Sequence, residues 1–251
     1  MSLLKKISIT GGGAFKYSKE LIHYFGNYSN VDEMNSTVKG AFFIIDRLET
    51  DSEFRPNFPI VLANVGTGAS FLLIDKHKNV ERIGGTNIAG GTFTGISSLL
   101  TQGTTSDDYS LLIEKGNKSN VDTLVRDIYG KSYVRAGLDG NIVAGSLDKV
   151  PHYSGDNLTA DVCSSSAFMI CNNVVHLLSL YVLIHNALAV FIAGSFSAIP
   201  SVTTIFKESM RAKLKVQSKV LKYGGYLGCF GIVSDIIDNK TKTKKFITCV
   251  K

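Results

Sequence analysis

Three times in this chain a strand-like run ends on a glycine turn, within a sequence that alternates strand and helix patterns. The buried-looking run Ile60-Val61-Leu62-Ala63-Asn64-Val65 enters Gly66-Thr67-Gly68, with Ser70 to Ile74 as its hairpin return. Glu81 to Thr86 leads into Ala89-Gly90-Gly91-Thr92, placed where a helical pattern begins at Phe93. Ala187 to Ala193 ends at Gly194-Ser195. A polyphosphate needs several N–H donors converging without side chains in the way, and a helix start offers free ones. Each turn alone reads as an ordinary turn; their order implies a nucleotide site built from backbone amides. No GxxxxGK[ST] run is present, and Gly11-Gly12-Gly13-Ala14 does not complete GxGxxG, so the P-loop and the dinucleotide fingerprint are both excluded.

The remaining patterns give an α/β chain. Lys6 to Thr10 reads as a strand and Ser18 to Phe25 as a helix. Val31 to Leu48 reads as a second helix with an acidic first turn that suits the helix dipole. Residues 104 to 130 look helical and polar, and 129 to 146 irregular, like a lid or cap. Asn157 to Leu180 is the longest helical pattern, Thr203 to Tyr223 a basic helix, and Gly224 to Gly231 a small-residue turn or helix start.

Composition bounds the function. With 251 residues, 44% hydrophobic and 19% charged, the chain is globular and long enough for one large domain or two lobes. The net charge of +6 is scattered apart from Lys240, Lys242, Lys244 and Lys245, which read as a solvated tail rather than a nucleic-acid surface. Cys163, Cys171, Cys229 and Cys249 contain no CxxC pair, so neither zinc nor a disulfide framework is indicated and a cytoplasmic setting is expected. Leu177 to Ile199 is apolar but joins two patterns and holds His185, Asn186, Gly194 and Ser195, so no membrane span is expected.

Taken in order, Ile9-Thr10-Gly11-Gly12-Gly13-Ala14-Phe15-Lys16, Asn64-Val65-Gly66-Thr67-Gly68-Ala69-Ser70, Gly90-Gly91-Thr92-Phe93, Val125-Arg126-Asp127-Ile128-Tyr129-Gly130 and Gly225-Tyr226-Leu227-Gly228 resemble the eukaryotic-type (type II) pantothenate kinases. These belong to the acetate/sugar kinase, Hsp70 and actin superfamily. The resemblance implies a two-lobed, actin-like (ribonuclease H-like) fold, here with its first lobe incomplete at the N-terminus. Residues 1–58 would be the remnant of that lobe with the catalytic helix, and 59–251 the second lobe with the nucleotide turns and dimerisation helices. It further implies ATP- and Mg2+-dependent phosphorylation of pantothenate, the first step of coenzyme A synthesis. Coenzyme A or an acyl-CoA is the expected inhibitor, and a homodimer or a heteromer with a related subunit the expected assembly.

The same resemblance assigns roles. Glu33, in Val31-Asp32-Glu33-Met34, stands where the family has its catalytic base, and Arg82 where an arginine contacts substrate and stabilises charge on the transferring phosphoryl group. Thr67 and Ser70 match substrate-side hydroxyls, and Ala144 lies in a segment that crosses a dimer to line the pantothenate and acyl-CoA pocket. Gly66, Thr67, Gly68, Gly90, Gly91, Gly194 and Ser195 would surround ATP, and no complete protein metal site is expected. Gly224 replaces the family's glutamate before Gly-Tyr-Phe-Gly. The family's upstream Asp-Ile-Gly-Gly-Thr hairpin is not supplied by residues 1 to 8, which leaves three expectations open: a truncated sequence, a short protein that borrows strands from a partner, or an impaired regulatory subunit that binds coenzyme A species without turnover. Another small-molecule kinase of the superfamily is a further alternative.

Overall fold

The computed structural model describes residues 7–47, 56–101 and 106–248. In chain order the elements are β1 (Ser8–Ile9), α1 (Gly12–Lys16), α2 (Ser18–Phe25), β2 (Ser29–Asn30), α3 (Glu33–Arg47), β3 (Ile60–Val65), β4 (Ala69–Ile74), β5 (Val80–Thr86) and α4 (Gly90–Ser98). There follow α5 (Ser106–Lys115), β6 (Thr123–Leu124), α6 (Val125–Tyr129), β7 (Val143–Gly145), α7 (Leu158–His185), β8 (Ala189–Ala193), α8 (Pro200–Lys213), β9 (Gln217–Val220) and α9 (Leu227–Thr248).

The centre is a five-stranded sheet of order β5-β4-β3-β8-β9. β3 and β8 run parallel in register from Ile60↔Ala189 to Asn64↔Ala193, and β9 continues the parallel set, whereas β4 and β5 return antiparallel. Both central strands are apolar runs rather than alternating ones because both sheet faces are covered. On one face Val61, Ala63, Val65, Phe71, Val190 and Ile192 pack with α7, α8 and Phe93 of α4. On the other, Ile60, Leu62, Leu72, Ile74 and Phe191 pack with Val38, Ala41, Phe42, Ile44 and Ile45 of α3 and with Leu227 of α9. Each fully buried Phe or Leu of this kind contributes about 1.5–3 kcal/mol.

Local chemistry sets the helix limits. Asp32 caps α3, its Oδ1 accepting the Asn35 amide at 2.8 Å, so the helix starts two residues later than the periodicity suggests. Asn157 caps α7 through the Ala160 amide at 3.1 Å, and Asn186, left-handed at φ 51, ends it. α7 is long and apolar enough by composition to cross a membrane, with 33% of its most apolar window buried. The apolar stretch 177–199 resolves into the end of α7, β8 and a short 3-10 turn.

Three expectations are corrected. The basic helix expected over 203–223 stops at Lys213, and Gln217–Val220 is the edge strand β9, because it pairs in parallel with β8. The helical stretch expected over 104–130 breaks after Lys115, and Thr123–Leu124 pairs antiparallel with Val143–Gly145 inside the region read as irregular. The basic C-terminal run is not a tail, since its backbone continues α9 to Thr248, while Cys249 lies outside the described residues. The boundary expected at residue 58 falls just before β3, and α9, beyond it in sequence, packs on α3.

Candidate active site

Two cavities lie beyond the carboxyl ends of the parallel strands β3 and β8, where open α/β sheets place their ligands. The smaller, about 150 Å3, is lined by Thr10, Gly11, Glu33, Thr37, Asn64 and the stretch Gly224 to Cys229. Glu33 is the first residue of α3 and is exposed to this space. Two glycines bring its helix close to α9, and a third brings α9 close to Thr10. A Cβ on Gly40 would fall 1.9 Å from the Leu227 carbonyl oxygen, one on Gly231 2.0 Å from that of Ser36, and one on Gly228 2.6 Å from the Thr10 methyl. Thr10 and Ser36 share a hydroxyl hydrogen bond at 3.0 Å, tying the end of β1 to α3. The Lys39–Asp235 pair at 2.8 Å joins the same helices but is half exposed, so backbone contact rather than charge fixes the crossing.

The larger cavity, about 560 Å3, is lined by Gly66, Thr67, Gly90, Gly91, Thr94, Gly95, Tyr109, Ser195, Phe196 and Ile199. Five of the seven residues expected around a nucleotide therefore meet here, while Gly68 and Gly194 do not line it. Gly194 serves the backbone instead. At φ +105 it turns the end of β8 beside Val65, whose carbonyl oxygen a Cβ would approach to 2.3 Å. The helix-start amides expected to be free are in part engaged. Gly90 N–H donates to the Gly66 carbonyl at 2.9 Å and Gly91 N–H to that of Thr67 at 2.8 Å, because the first turn is seated directly on the start of α4. These glycines build the cavity wall; Tyr109, Phe196 and Ile199 give it an apolar side suited to a planar base. The two cavities adjoin, since a Cβ on Gly225 would sit 3.5 Å from Ser195 Cα.

Strand parity places Ser70 and Arg82. Leu62 and Leu72 belong to the face that carries α3, so Asn64 and Ser70, two residues on and opposite one another in register, share that face at the strand ends. Arg82 pairs with Leu72 and points to the same side. A bulge between Phe71 and Leu72 inserts Ile83, which puts Gly85 opposite Ser70 on the face of Arg82. The guanidinium lies over Gly85, where a Cβ would be 2.6 Å from its Nη2. Ser70 and Arg82 line neither of the two cavities; Glu33, Asn64 and the Gly224 turn share one, and the nucleotide turns the other. Asn64 is a site residue that sequence reasoning misses; its signal is that it is the one polar residue in β3.

Comparison with known proteins fits this geometry. The Fumble family's sequence pattern matches residues 2–235. The chain belongs to the Fumble family, the type II pantothenate kinases. Relatives include a mouse 4'-phosphopantetheine phosphatase (34% identical over 90% of this chain and 30% of the mouse protein) and pantothenate kinase 2 of Arabidopsis thaliana (32%, 90% and 27%). A Schizosaccharomyces pombe pantothenate kinase is 30% identical over 90% of this chain and 63% of its own length. The chain thus spans between about a quarter and under two thirds of these relatives. Among solved structures, the activator of 2-hydroxyisocaproyl-CoA dehydratase from Clostridium difficile with bound ADPNP aligns at TM-score 0.58 and 14% identity, covering 98% of this chain and 78% of that one. Component A of the Acidaminococcus fermentans (R)-2-hydroxyglutaryl-CoA dehydratase aligns at 0.51 and 14%, covering 89% and 72%. The fold is actin-like.

In this Fumble-family chain Ala144 is exposed on β7 and lines neither cavity. Its strand is anchored through buried Asp122, which accepts the Leu147 amide at 2.9 Å and the Ser165 hydroxyl. For Asp161, at the start of α7, burial raises the carboxyl pKa, yet hydrogen bonds from the Asn117 amide (2.7 Å), Asn120 (2.9 Å) and Tyr153 (2.8 Å) outweigh it and hold the group below the usual range. Among the described residues no group of three or more His, Cys, Asp or Glu side chains is placed to hold a metal.

Proposed function

We propose that this chain is a pantothenate kinase that moves the γ-phosphoryl group of ATP to the primary hydroxyl of pantothenate. The observation that carries the reading is the junction of the two cavities: glycine turns wall the larger, and Glu33, at the mouth of the smaller, faces the ends of the same strands. ATP would place its base against Tyr109, Phe196 and Ile199 and its phosphates toward Gly66, Thr67, Gly90, Gly91 and Ser195. Glu33 takes the proton of the acceptor hydroxyl as its oxygen bonds to phosphorus and the bond to the ADP oxygen breaks. Arg82, on the face shared with Ser70, offers a cation for the charge that develops on the phosphoryl oxygens or for the pantothenate carboxylate. Pantothenate as acceptor rests on the relatives named pantothenate kinase. Conversion of pantothenate and ATP to 4'-phosphopantothenate and ADP by the purified chain tests the reading, and binding of pantothenate with no product would sink it.

A second reading, a subunit that binds coenzyme A species without turnover, draws support from the relative named as a phosphatase. Acyl-CoA binding with no ATP consumption in the presence of pantothenate distinguishes it. Dimer formation, coenzyme A inhibition and a cytoplasmic setting belong to the proposal and are measured by sedimentation, inhibition kinetics and localisation.

A further inference from the structure

β3 reads Ile-Val-Leu-Ala-Asn-Val, and its neighbours Leu62, Ala63 and Val65 are fully buried. An asparagine is disfavoured in such a central strand. Asn64 is half-buried, and among the described residues its side chain has no hydrogen-bond partner. Parity with Leu62 turns it to the face of α3, and there it lines the Glu33 cavity beside Thr10, Thr37 and the Gly224 turn. A carboxamide that breaks the strand pattern, has no partner within the described residues and opens onto a cavity is free to bond a ligand there.

We infer that Asn64 binds the acceptor hydroxyl and presents it to Glu33, a role that rests on the kinase reading above. The carboxamide Nδ2–H donates to one lone pair of the hydroxyl oxygen, and the O–H points to the Glu33 carboxylate. The second lone pair forms the new O–P bond, the P–O bond to the β-phosphate breaks, the proton passes to Glu33 and the electron pair leaves with ADP. Asparagine suits this position because it donates without carrying a charge that would compete with Glu33 for the proton.

The test compares the full chain with Asn64→Ala and Asn64→Asp, using ATP, magnesium and pantothenate, with ADPNP affinity measured alongside. Asn64→Ala should lower kcat by about 10- to 100-fold while the ADPNP Kd stays within about threefold. Asn64→Asp, nearly isosteric, sets a second carboxylate in the Glu33 cavity and should move the acid limb of the kcat profile up by about one pH unit or more. A protein in which Asn64 only packs would not move that limb. Turnover by the wild-type chain with Asn64→Ala within about threefold of it, or an unmoved acid limb in Asn64→Asp, overturns this role and leaves the kinase reading standing. No turnover by the wild-type chain overturns the kinase reading and this role with it.

Discussion

Replacing Gly231 with alanine tests whether the α3–α9 crossing positions Glu33. The added methyl would lie 2.0 Å from the Ser36 carbonyl oxygen, whereas ordinary contact begins at 3.4 Å, so the helices must part by about 1.4 Å. The obstacle is backbone, which cannot rotate away as a side-chain tip can. Overpacking of this kind costs about 1–3 kcal/mol, and in a protein of this size each kcal/mol lowers Tm by about 2–4 °C. Ser36 lies one helical turn from Glu33, so the shift is passed to the carboxylate, and a misplacement of about 1 Å costs on the order of 100-fold in rate. Gly116→Ala is the control: its Cβ meets the Ala160 carbonyl at the same 2.0 Å, but Gly116 lines neither cavity. Calorimetry should show comparable losses of Tm in both variants, with kcat collapsing only in Gly231→Ala. A Gly231→Ala protein that melts with the wild type, or an equal loss of kcat in the two variants, would refute this coupling.

Three further outcomes are expected. Gly90→Ala sets a methyl 2.5 Å from the Gly66 carbonyl oxygen and 2.9 Å from Phe196 Cβ, which should unseat the first turn and weaken ADPNP binding by about tenfold or more in calorimetric titration. Asp161 has a folded pKa below its unfolded value of about 4, so its contribution is present above that pH and is lost as pH falls through the folded pKa; Asp161→Asn should cost about 1–3 kcal/mol near neutrality and less in acid, read by urea unfolding at several pH values. Cys229 is exposed in the Glu33 cavity, whereas burial pushes up the thiols of Cys163 and Cys171. In a Cys249→Ser background a maleimide should therefore label Cys229, pantothenate with ADPNP should slow it, and loss of the label on adding Cys229→Ser identifies the site.

The parts of the fold written in apolar runs are legible from sequence. Ile60 to Val65 and, of the strand expected over Ala187 to Ala193, Ala189 to Ala193 lie at the sheet centre, where burial on both faces imposes a continuous pattern, and Ser18 to Phe25 matches α2. β9 escapes such a reading because Gln217-Ser218-Lys219-Val220 is an edge strand whose polar residues guard the edge, so it prolongs the basic pattern of α8. The partners β6 and β7 are about twenty residues apart and two or three residues long, too short for any period to register. For the site, motif order anticipates that the Gly66, Gly90 and Ser195 turns meet, since they follow the ends of β3 and β8 and open α4. Which amides remain free is beyond sequence: the bonds from Gly90 and Gly91 to Gly66 and Thr67 arise only when distant segments meet. Asn64 is equally hidden because its meaning lies in sheet parity and in the absence of a partner, both tertiary facts.

The central claim is that Glu33 serves as base for phosphoryl transfer from a nucleotide held by the neighbouring glycine turns. Its most direct measurement is the rate of ATP-dependent pantothenate phosphorylation by the wild type and by Glu33→Gln, with ADPNP affinity followed on both. The expected result is product from the wild type, a fall of about 100-fold or more in Glu33→Gln, and nucleotide affinity unchanged because Glu33 lines only the smaller cavity. Phosphorylation by Glu33→Gln at the wild-type rate would contradict it.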